Sequence, residues 1–306
     1  MKMKPGINDV LWMLAGAGGL LVCLLVVLHF HKDQNPAAQV VFRAQRMELV
    51  DRMQLDLASA AEAEKSAVLA ITDPDSQAFA DQARVATAKV EQERRELGEL
   101  LKTRGASGQP ELLAQFSTAF AEFQHIDQEL LELAVKNTNL KAYSLAFGPA
   151  ATLLRSMDAT LARLMTEDAP VLRLVANARI AAWRLLALIP PHIAEEDENK
   201  EDALEALMTS EDAQVHQCLS GLAALPQFSS NPELSTAAAR YAEFSQIKTR
   251  IIALSRENSN VRSLSISLNQ KRKVMLVCQD ALSALHQAIQ DEPIAGFTSG
   301  SPVRPR

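Results

Sequence analysis

The chain has 306 residues, 48% of them apolar, enough to bury the cores of about two ordinary domains, which excludes wholesale disorder. Aromatic residues make up 5%, with 11 Gly and 13 Pro, and this argues against a large sheet protein, because strands draw on aromatic and β-branched residues and their turns on Gly. A net charge of -6 and a pI near 5.6 leave no basic footprint for a phosphate backbone, so no nucleic acid is expected as a partner.

The first element in chain order is Val10 to Leu28, VLWMLAGAGGLLVCLLVVL, an uncharged run close to the roughly 20 residues that a bilayer core requires. It is longer than a cleavable signal's apolar core, and the flank HFHKDQNPAAQ is a poor cleavage site, so the reading is an uncleaved single membrane anchor. Cys23 has Leu and Val on both sides, the wrong setting for lipid attachment, and reads as a packing thiol. Lys2 and Lys4 precede the span and Lys32, Arg43 and Arg46 follow it; the slight bias places residues 1–9 in the cytoplasm, 10–30 in the membrane and the rest outside. The closing GFTSGSPVRPR cannot pack a core, so residues 292–306 are expected to form a disordered tail.

Between anchor and tail the chain repeats itself. FAEFQHIDQELLELAVKNTNLKAYSLAF, from Phe120, aligns without a gap with YAEFSQIKTRIIALSRENSNVRSLSISL, from Tyr241. The repeats are 31–168 and 169–291, meeting near Thr166 to Pro170, where acidic residues and a proline open a helix. Each begins with two amphipathic segments: 38–71 and 76–104, separated by Thr72-Asp73-Pro74-Asp75, then 170–188 and 200–224, separated by Pro190-Pro191 and an acidic stretch. Each ends in a heptad seam: Ile126, Leu133, Leu140, Phe147, Leu154 and Leu161 in the first, and Ile247, Leu254, Val261, Leu268, Met275, Leu282 and Ile289 in the second.

The fold class is therefore all-α, and two arrangements fit. If KNTN and ENSN are turns, two successive four-helix bundles result, and Asn suits the left-handed backbone that ends a helix. If each seam is one helix, two long helices thread two stacked bundles. The unbroken heptad phase favours the second arrangement, as does the lack of Gly or Pro between Glu233 and Asp291, while Gly148-Pro149 should kink the first seam.

A membrane span followed by helices of this length, with AEAEKSAVLAI in the first hairpin and EFQHIDQELLELAVKNTNLKAYSL beyond it, resembles the four-helix-bundle sensory domain of bacterial methyl-accepting chemotaxis receptors. The likeness covers residues 8–168, recurs more faintly over 170–291, and in its threaded form looks like the bimodular helical sensors. It implies a periplasmic sensing fold on the bacterial inner membrane. The second span and cytoplasmic signalling hairpin of such receptors have no counterpart here, so the likeness does not carry over their output.

Asn137 and Asn258 are the polar positions that stand out, each in phase with an apolar residue seven back and with Ser144 or Ser265 seven on. They read either as a polar layer that fixes register or as a small polar pocket in which Arg262 meets a carboxylate. Arg43, Arg46 and Arg52 read as a solvated face, and Trp183, between Arg179 and Arg184, as a core anchor. The acidic run from Glu195 to Asp202 reads as a solvated loop and helix opening.

No HExxH, CxxC, GxSxG or Gly-rich phosphate loop appears, and His29 and His31 sit at the membrane edge; no enzyme activity, metal or cofactor is expected. In the threaded arrangement Cys218 and Cys278 lie too far apart for a disulfide. Two function classes remain. One is an anchored sensor-like module that binds a small ligand or a partner protein and signals through a chemoreceptor or histidine kinase; a homodimer also fits this reading. The other is an envelope assembly protein that uses long helical faces for protein contacts.

Overall fold

A computed structural model describes residues 36–293. The segment Val10 to Leu28 lies outside the described residues, as does the tail from residue 294; among the described residues, no helix is long and apolar enough to cross a membrane. The described chain is all helical, without a strand. Its helices are α1 Pro36–Leu69, α2 Asp73–Arg104, α3 Gln109–Ala134, α4 Thr138–Leu145, α5 Ala151–Ala162, α6 Ala169–Ala194, α7 Glu198–Ala223, α8 Pro232–Glu257, α9 Ser259–Ile266 and α10 Arg272–Gln290. A π-helical turn, Ala146–Ala150, joins α4 to α5, and a second, Ser267–Lys271, joins α9 to α10.

Local chemistry sets most of these boundaries. The side chain of Asn231 accepts from the backbone N–H groups of Glu233 and Leu234, and Pro232 supplies the first helical residue of α8. Asp197 caps α7 by accepting from the N–H of Asn199. Pro190 and Pro191, expected to break the chain between helices, instead lie inside the last turns of α6, which runs on to Ala194.

The seam helices depart from expectation twice. They do not run unbroken through Asn137 and Asn258, because both residues adopt the left-handed conformation, with φ of 51° and 49°, which ends one helix and starts the next. The heptads also fail at Phe147 and Leu268, which are 65% and 59% exposed. Both lie inside the π turns, where Ala146, Ala150, Ser267 and Lys271 take the inward positions instead; beyond the turns the heptad residues Leu154, Leu161, Leu282 and Ile289 are buried. Gly148-Pro149, expected to kink the first seam, lies inside the first of these turns.

The chain forms two compact units. Unit 1 combines the described residues up to Ser59, Ala86–Ala121, and the described residues from Met275. Its core includes Val50, Met53, Leu57, Val90, Leu97, Phe116, Phe120, Cys278, Leu282 and Ile289. Arg46, expected on a solvated face, is buried here: it donates to Gln109 Oε1 at 2.6 Å and pairs with Glu292 at 2.6 Å. Arg43 donates to the backbone carbonyls of Gln290 and Glu292, whereas Arg52 is exposed and pairs with Glu48.

Unit 2 comprises Ala60–Val85 and Glu122–Val274 and holds two groups of helices. In one group the ends of α1 and α2 pack with α3 and the second π turn: Ser76 Oγ donates to the carbonyls of Ala67 and Ala134, and Ser267 donates to Glu64 at 2.6 Å. In the other, α4 and α5 pack on α8, and α6 packs on α7, around Leu154, Met157, Val175, Leu185, Val215, Tyr241 and Phe244. The chain passes between the groups at Asn137 and returns at Asn258. Cys218 of this unit and Cys278 of unit 1 are both buried and form no disulfide. Trp183, expected in the core, lies at the surface and donates to Asp158, which also holds Arg179.

Candidate functional site

The two crossings in unit 2 meet and hold each other. A helix start leaves backbone N–H groups without intrahelical partners, and its own N-cap side chain ordinarily serves them. Asn137 and Asn258 make no such bond to their own helices. Each start is served by the other repeat: Thr138 N–H donates to Ser259 Oγ at 3.1 Å and Ser259 N–H to Thr138 Oγ1 at 3.0 Å. Asn139 N–H donates to Asn260 Oδ1 and Asn260 N–H to Asn139 Oδ1, both at 3.1 Å. The side-chain amides complete the symmetry, Asn139 donating to Asn258 Oδ1 at 2.7 Å and Asn260 to Asn137 Oδ1 at 2.9 Å. Spare donors reach outward, from Asn137 to Asp73, from Asn258 to the Glu195 carbonyl and from Asn139 to the Ile193 carbonyl.

Beside this joint opens a cleft of about 510 Å³, lined by Glu196, Glu198, Glu201, Arg256, Asn258, Val261, Arg262 and Ser265. Three of the residues singled out from the sequence, Asn258, Arg262 and Ser265, thus share one wall. Asn137 belongs to the joint but not to the cleft. Ser144 is exposed on α4 and lines neither. The acidic run is not a purely solvated loop, because Arg256 pairs with Glu201, Asp202 and Glu205. Burial pushes the Glu201 carboxyl above its usual range, and its Oε1 is buried without a hydrogen-bond partner. Burial also works against ionised Glu205, but hydrogen bonds from Arg256 and His192 outweigh it and hold this carboxyl below its usual range.

Behind the cleft, His192 lies between Ser255 Oγ at 2.7 Å and Glu205 Oε1 at 3.0 Å. These are the residue types of an acyl-transfer triad, but His192 and Ser255 have no exposed surface and the Ser255 hydroxyl donates to the His192 carbonyl. Neither His192 nor Ser255 lines the cleft, and with the Ser255 proton held by a backbone carbonyl the cluster ties α6, α7 and α8 together. Among the described residues, no group of three or more His, Cys, Asp or Glu is placed to hold a metal ion.

Thr138, Ser259, Asn139, Asn260, Glu201 and Arg256 were not singled out from the sequence. The signal for the first four lay in the repeat, where KNTN faces ENSN and polar residues match position for position at the breaks. Glu201 and Arg256 carry no such signal, because their pairing depends on how α7 packs beside α8. No known protein-family model matches the chain, and no curated protein sequence matches it.

Proposed function

We propose that this is a membrane-anchored, extracytoplasmic, sensor-like helical protein in which a ligand in the cleft acts on the joint. One observation carries the reading: Asn258 is at once a wall of the cleft and the left-handed residue at which the chain crosses between helix groups. A ligand touching it bears on the residue whose amide oxygen holds Asn139. The resemblance to chemoreceptor sensory domains, in their bimodular form with two threaded bundles, supports the same reading, as does the uncharged span Val10 to Leu28. In this reading the span is a single pass through the bacterial inner membrane, the helical units lie in the periplasm, and a chemoreceptor or histidine kinase, or a second copy of the chain, receives the signal.

Two experiments test this. Protease added to spheroplasts should digest the helical region, and protection of that region refutes the topology. A panel of small metabolites should then include at least one that raises the melting temperature of the full chain and slows amide exchange at Thr138 and Ser259. Failure of every compound refutes the sensor reading. The second reading is an envelope assembly protein. It is favoured by the exposed apolar residues Leu172, Ile180 and Trp183 on α6, and a stable hetero-complex indifferent to metabolites would support it.

A further inference from the structure

The charges around the cleft define what it would accept. Arg256 is saturated: its Nε meets Glu205 at 2.7 Å, one terminal nitrogen meets Asp202, and the other meets Glu201 Oε2 at 3.3 Å. With three carboxylates upon it, it lends the cleft no net positive charge. Glu196 and Glu198 add two more carboxylates to the walls. The Glu201 side chain is 4% exposed, and its second oxygen, Oε1, is buried with no hydrogen-bond partner. A buried carboxylate oxygen without a donor is costly, and such atoms call for an explanation.

We infer that the cleft binds a small ligand through a primary ammonium group seated against Glu201. This rests on the sensor reading of the same cleft. An ammonium supplies three donors and one positive charge, which match an unpartnered carboxylate oxygen in a net-negative pocket. A divalent metal is the weaker match, since it asks for several converging oxygens and the described residues place no such group. Val261 offers an apolar surface to the ligand's methylenes, and Asn258 and Ser265 offer polar atoms. Arg262 stands on the same wall, and its guanidinium has no hydrogen-bond or ion-pair partner among the described residues. It therefore selects between two sources of the ammonium: a diamine gains nothing from Arg262, whereas an amino acid can place its carboxylate there.

The experiment is calorimetric titration of the full chain in detergent with putrescine, γ-aminobutyrate and, as the ammonium-free control, butyrate. Binding of putrescine or γ-aminobutyrate at least tenfold tighter than butyrate is expected. Glu201→Gln should weaken it tenfold or more, and Arg262→Ala should weaken γ-aminobutyrate but leave putrescine unchanged. Equal binding of butyrate, no binding of either amine, or full affinity in Glu201→Gln would overturn the inference. If Glu201→Gln does not fold, the butyrate comparison decides alone. A metabolite without an ammonium group that stabilises the joint would leave the sensor reading standing and remove this one. Amine binding that leaves amide exchange at Thr138 and Ser259 unchanged would do the reverse.

Discussion

Replacing Thr138 by Val is the sharpest test of the reciprocal joint. Valine keeps the branched shape, so no cavity opens and the effect isolates the hydroxyl. Thr138 Oγ1 accepts from Ser259 N–H at 3.0 Å and donates to Ser259 Oγ at 3.2 Å; Ser259 has no exposed surface, so water cannot replace the lost acceptor. An unsatisfied buried donor costs about 1–3 kcal/mol and a lost helix cap about 1 kcal/mol, so a destabilisation near 2 kcal/mol is expected. Ser259→Ala removes the acceptor of Thr138 N–H and should cost about the same. The two substitutions share the hydroxyl–hydroxyl bond, so the double variant should lose less than the sum of the singles by about 0.5–1.5 kcal/mol. Urea unfolding with an unchanged slope measures all three, and exchange at the Thr138 and Ser259 amides should quicken. Single losses below about 0.5 kcal/mol, or strict additivity, would refute the joint.

Two further outcomes follow from buried charge. Lys271 pairs with Asp127, both almost fully buried, and its ammonium lies 3.3 Å from the centre of the Phe123 ring. Asp127→Asn should cost about 3 kcal/mol in chemical unfolding, whereas Asp127→Leu with Lys271→Met should stay within about 1 kcal/mol of the parent, because the second pair leaves no buried charge behind. In unit 1, burial, helped by Asp56, pushes Glu93 up to about 7 from its usual 4.5, and its Oε2 is buried without a hydrogen-bond partner. The folded chain therefore holds this proton more tightly than the unfolded one, so Glu93 costs stability as pH rises from 4.5 to 7. Glu93→Gln should stabilise the protein at pH 8 by about 1–2 kcal/mol, after screening at this half-buried site, and change nothing at pH 4; equal thermal shifts at both pH values would refute this.

Much of the architecture was legible in order and period. The apolar spacing located the hairpin helices of the first repeat to within three residues, because amphipathic burial acts within a turn or two of chain, although Asp73, Pro74 and Asp75, read as part of the break, open α2 instead. The same local logic marked Asn137 and Asn258 as special, and Asn258, Arg262 and Ser265 do share a wall.

What the heptad misread was backbone conformation. A left-handed residue keeps the spacing of apolar positions while ending a helix, and a π turn changes which of its own residues face inward, so Phe147 and Leu268 kept their place in the pattern and lost their place in the core. Composition and period alone determined that the described chain is helical. Which polar atoms meet was decided by tertiary packing: Thr138 finds Ser259 because the repeats fold their breaks together, and Arg256 finds Glu201, Asp202 and Glu205 because α8 lies beside α7. Hydrogen bonds and ion pairs act over about 3–4 Å, a range at which neighbours remote in sequence exist only once the helices are packed.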